Sequence, residues 1–165
     1  MTFDATLLVY ASHLCAIKKA KMNTLETNRN LIIHFMDSIW NKNLFEEIDQ
    51  FLHPDFVDHS LPPNLPADKE GLKLWIIGTG MAFEHRSVIE DQVTEGNKSI
   101  IKFRMFLKHI GPWREISPTG IEISTVGYRC FRIENGRIIE QWALLDGNSI
   151  ENQLRESAQG CKIQE

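Results

Sequence analysis

Three side chains in this sequence have the type and setting for proton chemistry: Asp146, His109 and His59. Asp146 follows Trp142-Ala143-Leu144-Leu145, and strict strand alternation puts Trp142, Leu144 and Asp146 on one face. A carboxyl group among such neighbours is poorly solvated, which raises its pKa and lets it carry a proton near neutrality. The competing reading has Asp146 past the strand end, capping a turn before Asn148. His109 closes an alternating apolar run, Ile101-x-Phe103-x-Met105-x-Leu107, and His59 follows Phe56-Val57-Asp58. Either imidazole can orient a substrate oxygen or partner the acid, or sit at a core edge bonded to a backbone carbonyl. His53, Asp55, Asp58 and His59 invite a metal reading, but their spacing fits no standard ligand motif and adjacent strand residues face opposite ways. No metal is therefore expected. The chain has no G-x-G-x-x-G, P-loop or G-x-S-x-G motif.

The elements that must position these groups follow from periodicity. Ile32, Phe35, Met36, Ile39 and Trp40 recur at helical spacing, with Thr24 as N-cap. A second helix is predicted from Asn43, with Glu46 completing a capping box and Pro54 ending it. Phe56 and Val57 lie in a short extended piece, and three prolines between Leu61 and Pro66 make the next segment a loop. Asp68 caps a third helix bearing Leu72, Trp75, Ile76, Thr79 and Phe83 on one side. Beyond Arg86 the period changes to two, predicting strands over 87–95, 98–109, 119–133 and 137–146. Glu95-Gly96-Asn97 and Asn135-Gly136 supply the turns, and Asn148 and Glu151 begin a short last helix. Helices followed by an antiparallel meander predict an α+β fold, with N-terminal helices packed in the concave face of a curved antiparallel sheet, a cone-shaped α+β barrel.

Composition narrows the function classes. A chain of 165 residues with 42% hydrophobic and 24% charged residues is one soluble domain's worth. A net charge of −4 argues against nucleic acid or an anionic membrane as partner. Cys15, Cys130 and Cys161 are widely spaced and odd in number, which reads as free thiols in a reducing, cytoplasmic setting. The apolar stretch 5–17 is too short to span a bilayer and lacks a signal peptide's positive start. Residues 1–22 are read as a poorly ordered extension, 23–156 as the domain and 157–165 as a tail.

Three segments carry a resemblance. Residues 109–120 (HIGPWREISPTG) resemble the H-x-G-x-(F/W)-x-x-(I/V)-x-P-T-G segment of the SnoaL-like polyketide cyclases. Residues 131–142 (FRIENGRIIEQW) are similar to that family's strand pair, and 54–59 (PDFVDH) to its P-(D/E)-(F/Y)-V-x-H. The fold to which the family belongs, that of nuclear transport factor 2, hosts many chemistries. The resemblance implies an intramolecular aldol closure of a polyketide-type ester without metal or organic cofactor. It implies Asp146 as general acid/base, with His59 and His109 on the pocket wall in orienting or polarising roles. Phe56, Trp75, Phe83, Phe103 and Met105 are expected to line that pocket. Leu107, Trp113, Trp142 and Leu144 complete the expected lining. Leu107-Lys108 stands where the family commonly has Gly-Thr, so the cavity is expected to be narrower there.

Three readings of function remain. The first is cofactor-free acid/base chemistry on a small carbonyl compound, a cyclase or an isomerase of ketosteroid-isomerase type. The second is a non-catalytic protein binding an apolar small molecule. The third is an assembly module, and a homodimer through the open sheet face, centred on Phe106, Val126 and Tyr128, is expected alongside any of them.

Overall fold

The computed structural model describes residue 22 and residues 24–160; the expectations on Cys15, Cys161, most of the N-terminal extension and the end of the tail lie outside these. Helix α1 (24–35) runs into a π-helical turn, Met36–Asn41. Ile32, Phe35, Met36, Ile39 and Trp40 are all at most 2% exposed, as their spacing predicts. The wider π turn lets consecutive residues do different work. Trp40 enters the core while Asn41 accepts the Ser87 N–H on Oδ1 at 2.8 Å and donates Nδ2 to Ser87 O at 3.0 Å.

Asn43 does not begin a helix. It takes φ 57°, a left-handed conformation Asn tolerates, and turns the chain. A 3₁₀ turn, Phe45–Glu47, then leads into the four-residue α2, Ile48–Phe51. The helix ends before Pro54, which instead lies inside strand β1, Leu52–Asp58. Pro54 is compatible with that strand because β1 is an edge.

The remaining elements are α3 (Lys69–Ala82), β2 (Phe83–Glu95), β3 (Lys98–His109), β4 (Glu122–Glu134), β5 (Arg137–Leu145) and α4 (Gly147–Gly160). The sheet order is β1-β5-β4-β3-β2. β1 pairs with β5 in parallel, so the sheet is mixed, not wholly antiparallel as expected. Its other pairs are antiparallel, and Asn135 and Gly136 take φ 50° and 73° in the β4–β5 hairpin.

α3 is capped by Asp68, whose Oδ1 accepts the Glu70 and Gly71 N–H groups. Gly71 lies so close to the Pro66 carbonyl that a Cβ there would sit 1.7 Å from its oxygen. That contact fixes the helix rotation: Leu72 and Ile76 are buried, but Trp75 is 44% exposed and faces away from the core. The inward residues of β3 and β4 pack on α1 and form one core with α2 and α4.

Candidate functional site

The inward face of the sheet reads cleanly along β3 and β4. Phe103, Met105, Leu107 and His109 on β3, and Ile123, Thr125, Gly127, Arg129 and Phe131 on β4, are all buried. Along β5 the alternation breaks. Ile133 pairs with Ile138 but Arg132 pairs with Glu140, so Ile139 is an extra residue, a bulge. The bulge flips the parity: Gln141, opposite Phe131, becomes the buried position, while Trp142 and Leu144 lie on the outer face at 40% and 73% exposure. The expectation that Trp142 and Leu144 wall an interior pocket is corrected by this single inserted residue.

Asp146 follows the same parity outward. It is exposed, and its Oδ1 accepts the Ser149 N–H at 2.9 Å, capping α4. The expectation of a poorly solvated carboxyl is therefore corrected, and the turn-capping alternative describes its position. Only its backbone borders the interior, where Thr125 Oγ1 donates to Asp146 O at 3.0 Å. His59 also lies outside the cone. It stacks on Trp142 at 4.6 Å and 9°, and bonds Glu140 through Nε2 at 3.1 Å. Glu140 is held in turn by Arg132, and both partners keep its carboxyl below the usual range.

His109 is interior and fully buried. Its Nδ1 accepts the Thr119 N–H at 3.3 Å and lies 3.1 Å from Thr119 Oγ1. That assigns the neutral ring's proton to Nε2, a buried atom without a partner among the described residues. Burial holds its pKa below the ordinary histidine value; the Gly111 backbone opposes this. Phe83 packs against His109 at 5.2 Å and against Trp113 at 5.6 Å. The structure thus places Asp146, His59 and His109 among separate sets of partners. Of the expected lining, Phe56, Phe83, Phe103, Met105 and Leu107 are interior, and Trp113 packs half-buried at the core's edge.

The interior also holds polar groups the sequence reading passed over. Arg129 is 6% exposed, its guanidinium 3.6 Å from the Trp40 ring centroid and 5.3 Å from that of Phe103. Gly127 makes room: a Cβ there would lie 2.5 Å from the Phe103 ring. Burial lowers the Arg129 pKa to about 9, against the opposing charge of Asp58. Asp58 is itself buried and fully engaged, accepting Gln141 Nε2 at 2.7 Å on Oδ2 and the Ser60 N–H and hydroxyl on Oδ1. His85, half-buried, has its pKa lowered first by burial and then by the Arg129 charge. Arg129 Nε, His85 Nδ1, Gln141 Oε1, Ser87 Oγ and Trp40 Nε1 are buried without hydrogen-bond partners among the described residues. The signal was available: Arg129 sits at an inward parity position two residues before Phe131 and two after Gly127.

Gly111 explains part of the loop after β3. Ile110 and Gly111 N–H both donate to Ala82 O at 3.0 Å, and a Gly111 Cβ would stand 2.1 Å from Met81 O. Among the described residues no group of three His, Cys, Asp or Glu is arranged to hold a metal ion, and no helix is long and apolar enough to cross a membrane.

The family model for SnoaL-like polyketide cyclases matches residues 30–154, and the chain belongs to that family. No curated protein sequence matches it. Among solved structures it is similar to IdmH from Streptomyces antibioticus, with a TM-score of 0.71 and 23% identity over 78% of this chain and 98% of that one. It is similar to TsrD from Streptomyces laurentii, with a TM-score of 0.68 and 23% identity over 78% and 95% of the two chains. A SnoaL-like polyketide cyclase from Agrobacterium tumefaciens aligns with a TM-score of 0.65 and 16% identity over 77% and 97%. At these identities the likeness carries the fold: helices in the concave face of a five-stranded, mixed, curved sheet.

Proposed function

We propose that this chain is a cyclase-type enzyme performing cofactor-free proton transfer on a small carbonyl compound held in the concave face of its sheet. One observation carries the reading: a set of buried polar atoms, among them His109 Nε2, Arg129 Nε and Gln141 Oε1, has no partner among the described residues. Native cores satisfy nearly all such groups, so each exception invites a polar occupant. A carbonyl oxygen that gains charge on enolisation is such an occupant, and the His109 Nε2–H is a neutral donor suited to it. This reading requires the exposed Asp146 carboxyl, at the position the family resemblance marks as general acid/base, to give up its bond to the Ser149 N–H and turn toward the interior that its backbone borders. His59, outside the cone on Trp142 and Glu140, takes no part in it.

The exposure of Asp146 favours a second reading, a non-catalytic binding protein of the same fold. The discriminating experiment is deuterium exchange at the α-carbon of small ketones, followed by NMR, with wild type and Asp146→Asn. Accelerated exchange that falls at least tenfold in Asp146→Asn supports the enzyme reading with Asp146 as proton carrier. Acceleration that survives Asp146→Asn removes Asp146 from the mechanism. Binding of the ketone without acceleration supports the second reading.

A further inference from the structure

The unusual group in this interior is Arg129. Arg129 is 6% exposed, and a guanidinium so far removed from solvent carries a desolvation cost unless something compensates it. Its stacking on Trp40 at 3.6 Å offsets part of that cost. The carboxylate that acts on it, Asp58, is committed to Gln141 and Ser60 and makes no ion pair with it. Arg129 Nε has no acceptor among the described residues. Trp40, on which it stacks, leaves its own Nε1 buried and unpartnered, and His85, which feels the Arg129 charge, is held toward its neutral form chiefly by burial.

We infer that the concave face holds an anion site in which Arg129 takes a planar carboxylate, so that the ligand is a small aromatic carboxylic acid, not a neutral ester. The planar fork of a guanidinium matches a carboxylate's two oxygens. Trp40 and Phe103 flank the guanidinium, and the buried Met105 and Leu107 continue the apolar inward face of β3. Asp58 sets the limit on charge: it holds Arg129 protonated while Gln141 and Ser60 keep its own oxygens from competing for the fork. The inference rests on the concave face being the ligand site proposed above, but not on any catalysis there.

The test is calorimetric titration of the full chain with 2-naphthoate and with its neutral counterpart, 2-acetylnaphthalene. Wild type is expected to bind the acid at least tenfold more tightly than the ketone. Arg129→Met is expected to lose that preference while keeping the ketone's affinity, and Arg129→Lys to retain part of it. Equal affinities for acid and ketone in wild type, or an acid preference that survives Arg129→Met, would overturn the inference. Should Arg129→Met not fold, the wild-type comparison together with Arg129→Lys still decides: an acid preference undiminished by lysine overturns the planar-fork assignment. Failure of the deuterium-exchange experiment with a positive acid preference would remove the enzyme reading and leave the anion site standing.

Discussion

Gln141 Nε2 donates to Asp58 Oδ2 at 2.7 Å across 83 residues of sequence, and both side chains are at most 2% exposed. The bond joins the parallel pair β1–β5 from inside the cone, at the register position where Asp58 faces Gln141. Replacing Gln141 with Leu leaves a buried carboxylate oxygen without its donor. Loss of a hydrogen bond to a charged group predicts destabilisation of about 2–3 kcal/mol, read from urea unfolding. Asp58→Asn in the same background should recover much of it, because the orphaned charge is gone. A Gln141→Leu variant as stable as wild type would mean the pair contributes nothing.

Asp146 makes a separable structural prediction. Asp146→Ala removes the acceptor of the Ser149 N–H at the start of α4 and should cost about 1 kcal/mol. Asp146→Asn keeps an acceptor and should cost only a few tenths. Thermal melts of the two variants check this. The stability pattern, set beside the exchange kinetics, separates a helix cap from a proton carrier in one pair of proteins.

Stability should fall as the solution is acidified from neutrality. His85 and His109 both have folded pKa values depressed by burial, so the unfolded chain binds their protons first. Their contribution is present above the unfolded histidine value of about 6.5 and is lost as pH drops below it. Urea midpoints measured between pH 7.5 and 5.5 should decline, and His85→Gln with His109→Gln should flatten that slope. The ion-paired carboxylates Glu90, Glu140 and Glu151, also depressed, take effect only at lower pH.

Gly111 tolerates no side chain. A Cβ 2.1 Å from Met81 O forces the 110–116 loop away from the end of α3, and Gly111→Ala should cost about 3 kcal/mol by chemical unfolding. Gly120 is the control. Its φ of 72° strains any other residue, but nothing lies within 4 Å of a Cβ, so Gly120→Ala should cost only about 1 kcal/mol.

Much of this fold was legible from spacing. The period-two run of β3, the Asn135-Gly136 turn, the Asp68 cap and the apolar positions of α1 all stand where local chemistry put them. What escaped was set by relationships between distant residues. The parallel pairing of β1 depends on β5, 86 residues later in the case of Leu52 and Ile138, and leaves no local mark. The bulge at Ile139 turned a correct statement, that Trp142, Leu144 and Asp146 share a face, into the wrong face. Trp75 misled for a similar reason: helical spacing names a stripe, but the contact of Gly71 with Pro66 chooses its direction. The interior cluster escaped because an arginine in a strand reads as surface unless its parity is counted against Phe131 and Ile133.

The Asn41 clamp bears on how this chain meets other chains. Strand β2 is an outer strand of the sheet, and at Ser87 its unpaired N–H and C=O are both taken by one side-chain amide. Asn41 thereby imitates a single peptide unit of a neighbouring strand that is never added. At the opposite margin Pro54 withholds an N–H from β1. A foreign β-segment seeking to extend the sheet meets a plug on one border and a missing donor on the other, a defence against strand-by-strand polymerisation. Backbone pairing between copies is thereby disfavoured at both margins of the sheet.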